Sequence, residues 1–292
     1  MESWANLDRF PGMFAPINTM PELPEVETVV RGLRAPLVGR TIQSVWYDWA
    51  KVIATPSPEQ FTARIQGQTV RAINRRAKYI LCELDHDILA IHLKMTGRLY
   101  VVDKNNEQRD DKWVHIRFDL DENKQLRFSD ARKFGRVYLA STVQEIAPTL
   151  GPEPLVDEFT PAVLKERLQG RHKQIKALLL DQTFVAGVGN IYADESLHRA
   201  GIHPLRTADT LTDDEIARLY ETIRLVLNNG IDYEGASINW YRKPDGTQGE
   251  SQKHFTVYDR EGEPCLTCGQ PIIKIRVAQR GTHYCSNCQP ER

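Results

Sequence analysis

Between Thr41 and Leu139 the chain consists of short β-rich apolar runs broken by polar turns. The runs are Thr41–Trp46, Thr69–Ile73, Tyr79–Leu84, Ile88–Leu93, Arg98–Val102, Val114–Leu120, Gln125–Phe128 and Arg136–Leu139. Their spacing of roughly ten residues predicts a β-sandwich or barrel. Ahead of them, Val26, Val29, Val30 and Leu33 recur at helical spacing within Glu25–Leu33. Gly151-Pro-Glu-Pro154 is a rigid break, and beyond it the period becomes helical. Helices are expected over Pro161–Gln169, Gln174–Gln182, Ile191–Ala200 and Asp213–Asn228. The first opens after Thr160 with proline at its first position. Gly201 and Pro204 close the third. Residues 234–253, rich in Gly, Ser, Gln, Lys and Asp, read as a mobile loop. There is no internal repeat.

The chain end changes the picture. Cys265-Leu-Thr-Cys268 and Cys285-Ser-Asn-Cys288 are two C-x-x-C knuckles with sixteen residues between them. Such spacing predicts one tetrahedral zinc ion with a β-hairpin between the knuckles. With four thiolates no position is left open for water, so the zinc is expected to be structural. The hairpin Ile272–Tyr284 alternates apolar residues with cations and carries no acid. A metal-stapled basic finger suggests a partner made of phosphates.

Overall charge is uninformative alone: net −1, with a pI near 6.7. Its distribution is uneven, however. Arg71, Arg75, Arg76 and Lys78 cluster, as do Arg171, His172, Lys173 and Lys176, while acids gather at Asp110–Asp111, Asp119–Glu122 and Asp213–Glu215. A polarised surface is compatible with a DNA-binding face. The fifth cysteine, Cys82, lies in the apolar run Tyr79-Ile-Leu-Cys-Glu-Leu84 and reads as a buried strand residue, so there is no even disulfide framework. No apolar stretch approaches the ~20 residues of a membrane span. Residues 1–19 lack the features of a secretion signal. A soluble, cytoplasmic protein is expected.

Met20-Pro-Glu-Leu-Pro-Glu-Val-Glu-Thr-Val-Val-Arg-Gly-Leu33 closely resembles the start of the bacterial formamidopyrimidine-DNA glycosylases, which excise oxidised purines. The resemblance continues in order through Arg75-Arg-Ala-Lys-Tyr79, His92-Leu-Lys-Met-Thr-Gly97, Asp130-Ala-Arg-Lys-Phe-Gly135 and Gly151-Pro-Glu-Pro-Leu155. It extends through Ala186-Gly-Val-Gly-Asn-Ile-Tyr-Ala-Asp-Glu-Ser196 to the finger, covering essentially residues 20–290. It implies an α+β chain of defined parts. A leader at 1–19 is absent from the mature protein, and a catalytic β-sandwich with a leading helix spans 20–150. A helix–two-turns–helix domain with a lesion-capping loop spans 151–253, and a zinc finger spans 254–290.

The chemistry implied is a covalent imine at the sugar C1′, which needs an unprotonated amine. An α-amino group, with a reference pKa of roughly 7.7–8, supplies one more readily than lysine at ~10.4. By resemblance, Pro21 is that nucleophile once Met20 is removed, and Glu22 is the acid/base for ring opening and base departure. Lys78 matches the proton donor of β-elimination, and Arg280 at the finger tip matches the arginine assigned to δ-elimination. Met95, Arg132 and Phe134 match the side chains that fill the hole left by a flipped base. Arg171, Lys176, Asn190 and His115 match DNA contacts, and amides after Gly187-Val-Gly-Asn190 can hold a phosphate. The partner implied is double-stranded DNA carrying oxidised bases or abasic sites, met by a monomer at the nucleoid.

Three features depart from the family pattern. Residues 1–19 precede Met20, which points to an over-extended translation start. Trp113-Val-His115 stands where many relatives have His-x-His. Glu234-Gly-Ala-Ser-Ile-Asn-Trp-Tyr241 differs from the usual lesion-capping segment. Two rival functions are the sister activity on oxidised pyrimidines and a catalytically silent DNA-binding protein.

Overall fold

The computed structural model describes residues 20–105, 111–238 and 240–291. The expected leader, Asp110 and Asn239 lie outside the described residues. The first helix, α1 (Leu23–Leu37), starts at Glu22, whose backbone N–H donates to the Glu25 carboxylate at 2.8 Å. This is half of a capping box, and it satisfies an amide that the helix itself cannot.

The strands follow as β1 (Ile42–Tyr47), β2 (Ile53–Thr55), β3 (Ala72–Arg76), β4 (Tyr79–Glu83), β5 (Ile88–His92) and β6 (Gly97–Asp103). They continue as β7 (Val114–Leu120), β8 (Lys124–Asp130) and β9 (Arg136–Ala140). One sheet has the order β1-β7-β8-β6 and the other β2-β9-β5-β4-β3. The apolar faces of β1, β3 to β9 and the long side of α1 close on one core that includes Val26, Val30, Leu89, Ile116, Phe118 and Phe128. The expected sandwich is therefore what forms.

Two elements escape the periodicity. Helix α2 (Pro58–Ile65) buries only Phe61 and Ile65, too few positions to reveal a period, although Ser57 caps it and Pro58 opens it. Strand β2 has three residues. The expected strand at Thr69 begins at Ala72 instead; Thr69 makes only an isolated bridge to Thr41.

After the short α3 (Val143–Ile146), the second half is helical: α4 (Pro161–Leu168), α5 (Ile175–Leu179), α6 (Asn190–Ala200) and α7 (Asp213–Asp232). Gly201 at φ +69° ends α6 in the left-handed conformation expected of a C-terminal glycine. These helices share a second core with Phe159, Phe184, Tyr192, Leu219 and Leu227, and Leu23 of α1 belongs to it. Helix α1 thus has its tip in one core and its body in the other. The segment after α7, expected as a loose loop, is closed: Ala236 bridges Glu250, and Ser251 N–H reaches the Gly235 carbonyl at 3.1 Å. The chain ends in the hairpin of β10 (Ile273–Val277) and β11 (Arg280–Tyr284). Its two-residue turn, Ala278-Gln279, has φ of +46° and +61°, the mirror-image turn that matches strand twist. Arg280 follows immediately.

Candidate active site and nucleic-acid interface

Where the tip of α1 meets α6 and the finger turn there is a cleft of about 430 Å³, lined among others by Met20, Glu22, Lys78, Lys94, Met95, Phe134, Asn190 and Arg280. Residues from the two halves and the finger therefore meet in one place.

Glu22 is buried, and its carboxylate accepts the N–H of Ile191 at 2.9 Å and of Tyr192 at 3.4 Å, the first free amides of α6. A helix N-terminus is a favourable seat for an anion. The two glycines before α6 make the seat possible. A Cβ on Gly189 would lie 2.3 Å from Glu22 Cδ, and one on Gly187, at φ +98°, would lie 2.7 Å from Leu23 Cδ1. The amides expected to hold a phosphate are thus taken by the chain's own carboxylate. Burial pushes the Glu22 carboxyl up to about 7, with Lys78 and the two amides pulling against it and Glu25 adding to it. Such a group can give and take a proton near neutral pH. Burial also lowers the Lys78 ammonium, opposed by Glu22 and Glu25 and reinforced by Arg280 and Lys94.

Glu25, which the motif alone does not single out, is the hub beneath this site. It receives the Glu22 amide, the Tyr192 hydroxyl at 2.8 Å and the Ala236 N–H at 2.8 Å. One carboxylate therefore joins the helix tip, α6 and the strap after α7. Its position three residues after Glu22 was the available signal.

Met95, Arg132 and Phe134 are brought together. Arg132 Nη1 lies 3.4 Å from Met95 Sδ, and its guanidinium stands 4.6 Å from the centre of the exposed Phe134 ring. Asn190 lines the cleft, its amide donating to the Gly281 carbonyl at 2.9 Å. Arg171 is exposed but outside the cleft.

Two expected DNA contacts are buried and have protein partners of their own. Lys176 is wholly buried, with its ammonium 2.6 Å from Asp194, 2.7 Å from Thr282 Oγ1 and 3.1 Å from the Gly281 carbonyl. Two of its donors are thus used in hydrogen bonds and its charge is paired with Asp194. It ties the finger hairpin to α6 instead of facing a phosphate. His115 is buried too, its Nδ1 2.9 Å from Asp48. Trp113, two residues earlier at the strand end, is the exposed one.

The basic cluster at Arg71–Lys78 likewise divides. Arg75 grips Glu153 with both terminal nitrogens, at 2.8 and 2.9 Å, and Glu27 with Nε at 3.1 Å. Arg76 donates to the Gly151 carbonyl at 2.7 Å. These cations fasten the sandwich to the Gly151-Pro-Glu-Pro154 break.

In the finger, the four cysteine sulfurs lie within 4.8 Å of one another, with Cys265–Cys288 at 3.8 Å and Cys268–Cys285 at 3.4 Å. A tetrahedral ion with Zn–S bonds of ~2.3 Å sets its sulfurs ~3.8 Å apart, so the residues fit zinc. The ion would brace the two knuckles and so fix the hairpin carrying Arg280; with four thiolates it performs no chemistry itself.

Comparison with known proteins agrees. Residues 20–137 match the formamidopyrimidine-DNA glycosylase N-terminal domain and 150–242 its H2TH domain, while 262–290 match the zinc finger found in FPG and IleRS. The chain belongs to the formamidopyrimidine-DNA glycosylase family. It is 50% identical over 274 residues to the formamidopyrimidine-DNA glycosylase of Chloroflexus aggregans, covering 92% of this chain and 98% of that one. The Bacillus subtilis protein of the same name is 42% identical over 278 residues, covering 94% and 100%. Among solved structures, the Lactococcus lactis enzyme in complex with Fapy-dG-containing DNA superposes with a TM-score of 0.85 at 37% identity, covering 92% of this chain and all of that one. The Thermus thermophilus protein gives 0.84 at 38% identity, covering 93% and 100%. Within the family's frame the fold is α+β, with one structural zinc site and a surface for DNA. No helix among the described residues is long and apolar enough to cross a membrane.

Proposed function

We propose that this chain excises oxidised purines, 8-oxoguanine and formamidopyrimidines, from duplex DNA and then cuts the abasic strand by β- and δ-elimination. The observation that carries the reading is Glu22: a buried carboxyl titrating at about 7, next to Pro21 and beside Lys78, in a cleft whose charged lining is otherwise cationic. Its relatives bear the glycosylase name, and the Lactococcus lactis enzyme has been solved on Fapy-dG and abasic-site DNA.

In the chain as given, the Pro21 nitrogen is an amide and cannot attack, and Met20 lines the cleft. Removal of everything through Met20 frees a secondary amine and vacates the space where a nucleoside must enter. Its lone pair then forms the N–C1′ bond as the C1′–base bond breaks, and the base leaves with a proton. Glu22 protonates the ring oxygen as C1′–O4′ opens to the iminium. Glu22, now a carboxylate, takes a C2′ proton as the C3′–O bond breaks, and Lys78 protonates the departing 3′ phosphate. Loss of a C4′ proton then breaks the C5′–O bond, with Arg280 beside the departing 5′ phosphate, and water hydrolyses the imine to free Pro21. Met95, Arg132 and Phe134 occupy the hole in the stack, with Asn190 and Arg171 on the backbone. The working units are the sandwich at 20–150, the helical part at 151–253 and the finger at 254–290. The setting is a monomer in the bacterial cytoplasm, acting on the nucleoid, where thiols stay reduced.

Single-turnover cleavage by the Pro21-started chain tests this. Duplexes with 8-oxoguanine should be cut, leaving phosphates on both sides of a one-nucleoside gap. Faster cutting of thymine glycol would assign the pyrimidine activity instead, and no cutting of either would make the chain a DNA-binding protein only.

A further inference from the structure

Tyr79, His92 and Arg136 are paired in register across β4, β5 and β9, so they form one row at one end of the five-stranded sheet. Lys78 immediately precedes this row and Lys94 follows it by two residues. Lys94 is held out of the strand in the left-handed conformation, φ +53°, and its backbone N–H donates to His92 Nδ1 at 3.0 Å. Its ammonium is half-buried, lines the cleft and has no acid or hydrogen-bond acceptor among the described residues. Arg136 lines the same cleft. Its Nη1 is fixed on the carbonyls of Gly135 (2.7 Å) and Lys133 (3.1 Å), and its guanidinium stands 5.1 Å from the centre of the Trp49 ring. Its other edge has no partner among the described residues. Burial lowers the Lys94 ammonium, and the Arg136 guanidinium nearby lowers it further. Two uncompensated cations held side by side at a half-buried site are costly unless an anion joins them.

Resting on the DNA reading above, we propose that Lys94 and Arg136 form a second phosphate clamp, separate from Lys78 and Arg280, with Trp49 as the positioning residue that holds Arg136 flat. The clamp takes one internucleotide phosphate of the bound strand. A guanidinium anchored on one edge and supported on one face loses little freedom on binding, so the contact is pre-organised. It contributes to grip and not to bond breaking, because neither group is needed for the proton transfers assigned to Glu22 and Lys78.

The test uses the full Pro21-started chain with zinc bound, and a duplex carrying a tetrahydrofuran abasic analogue. Binding is followed by fluorescence anisotropy across a salt series. Lys94→Met and Arg136→Met should each weaken binding about ten-fold, and each should reduce the slope of log K against log salt by roughly 0.9. Trp49→Leu, which keeps both charges, should weaken binding two- to three-fold with the slope unchanged, and should add nothing in the Arg136→Met background. A scan of neutral methylphosphonates should find one position that costs the wild type binding but costs neither Lys94→Met nor Arg136→Met. Arg280→Met should remain sensitive at that position. Matching far-ultraviolet dichroism and melting temperature should show the variants to be folded. Unchanged slopes or different silent phosphates for the two variants would each overturn the clamp. A wild type that binds but never cleaves would overturn the glycosylase reading and leave the clamp standing.

Discussion

Arg75 and Lys78 are three residues apart at the β3–β4 turn and live in opposite surroundings. Arg75 is 9% exposed and has carboxylates on every edge, Glu153 by a double fork and Glu27 by a single bond. Lys78 is 5% exposed and faces the cleft without a hydrogen-bonded partner among the described residues. The same contrast separates Lys176, enclosed by Asp194, Thr282 and Gly281, from Lys94. Burying a charge is expensive unless it is paired. Paired cations therefore belong to the frame that holds the two halves and the finger together, while unpaired ones mark where an anionic ligand completes the site. Proximity in sequence does not distinguish them; the carboxylate that reaches them from elsewhere does.

The contrast can be broken most sharply at the reacting groups. Glu22→Gln in the Pro21-started chain should lower the single-turnover rate by about 10²–10⁴. The wild-type rate should follow a bell-shaped pH profile, rising as the Pro21 amine loses its proton and falling as Glu22, at about 7, loses its own. Stability moves oppositely to a salt-bridged carboxylate. Because the folded-state pKa of Glu22 is raised above its ordinary 4.5, the folded protein holds a proton that the unfolded chain releases. Wild type should therefore lose stability relative to Glu22→Gln as pH rises from 4.5 to 7 and be level above. The size is on the order of 3 kcal/mol, the pull of Lys78 being already contained in the raised value. Denaturant melts at three pH values would measure it.

Next in size comes the metal. Stripping zinc with a chelator should unfold the finger and abolish DNA binding, because the ion's binding energy is folding energy for so small a unit. The near-ultraviolet dichroism of the sandwich should survive, and added zinc should restore binding. Third are the frame cations. Lys176→Met strands the buried Asp194 carboxylate and should cost about 3–5 kcal/mol of stability. Arg75→Met leaves Glu153 with Arg76 and the Ala77 N–H and should cost less, about 1–3 kcal/mol. Once corrected for the folded fraction, Arg75→Met should cleave at the wild-type rate, whereas Lys78→Met should be as stable as wild type and slow. Equal effects of Arg75→Met and Lys78→Met on both quantities would erase the distinction drawn above. Smallest is Phe134→Ala: the ring is 45% exposed, so stability should change by less than ~0.5 kcal/mol. Cleavage of duplex lesions should fall several-fold while cutting of single-stranded abasic DNA is unaffected.

Much of the architecture is legible in the sequence because it rests on local periods. The short apolar runs of β4 to β8 bounded by turns, the caps at Thr160 and Gly201 and the knuckle spacing of the cysteines are all short-range signals. Helix α2 is not, because only two of its residues face the core. Site residues are legible as types but not always as roles. Lys176 looks like a phosphate ligand in the helix–two-turns–helix motif, yet it is buried against Asp194 and the Gly281 carbonyl and so helps to set where Arg280 stands. Gly187-Val-Gly189 reads in sequence as a phosphate cradle. Its crowding partners are Leu23 and Glu22, far away in the chain. No local pattern contains that information, nor that of Lys94 and Arg136, which come together only through the register of β5 and β9.

The whole account turns on which nitrogen meets the sugar. Sodium borohydride added to the Pro21-started chain during cleavage of 8-oxoguanine DNA reduces any imine to a stable amine, and peptide mass mapping then locates the adduct. The account predicts a single cross-link at the α-nitrogen of Pro21, lost when an extra residue precedes it. A cross-link on Lys78 or Lys94, or efficient strand cutting with no cross-link at all, would contradict it.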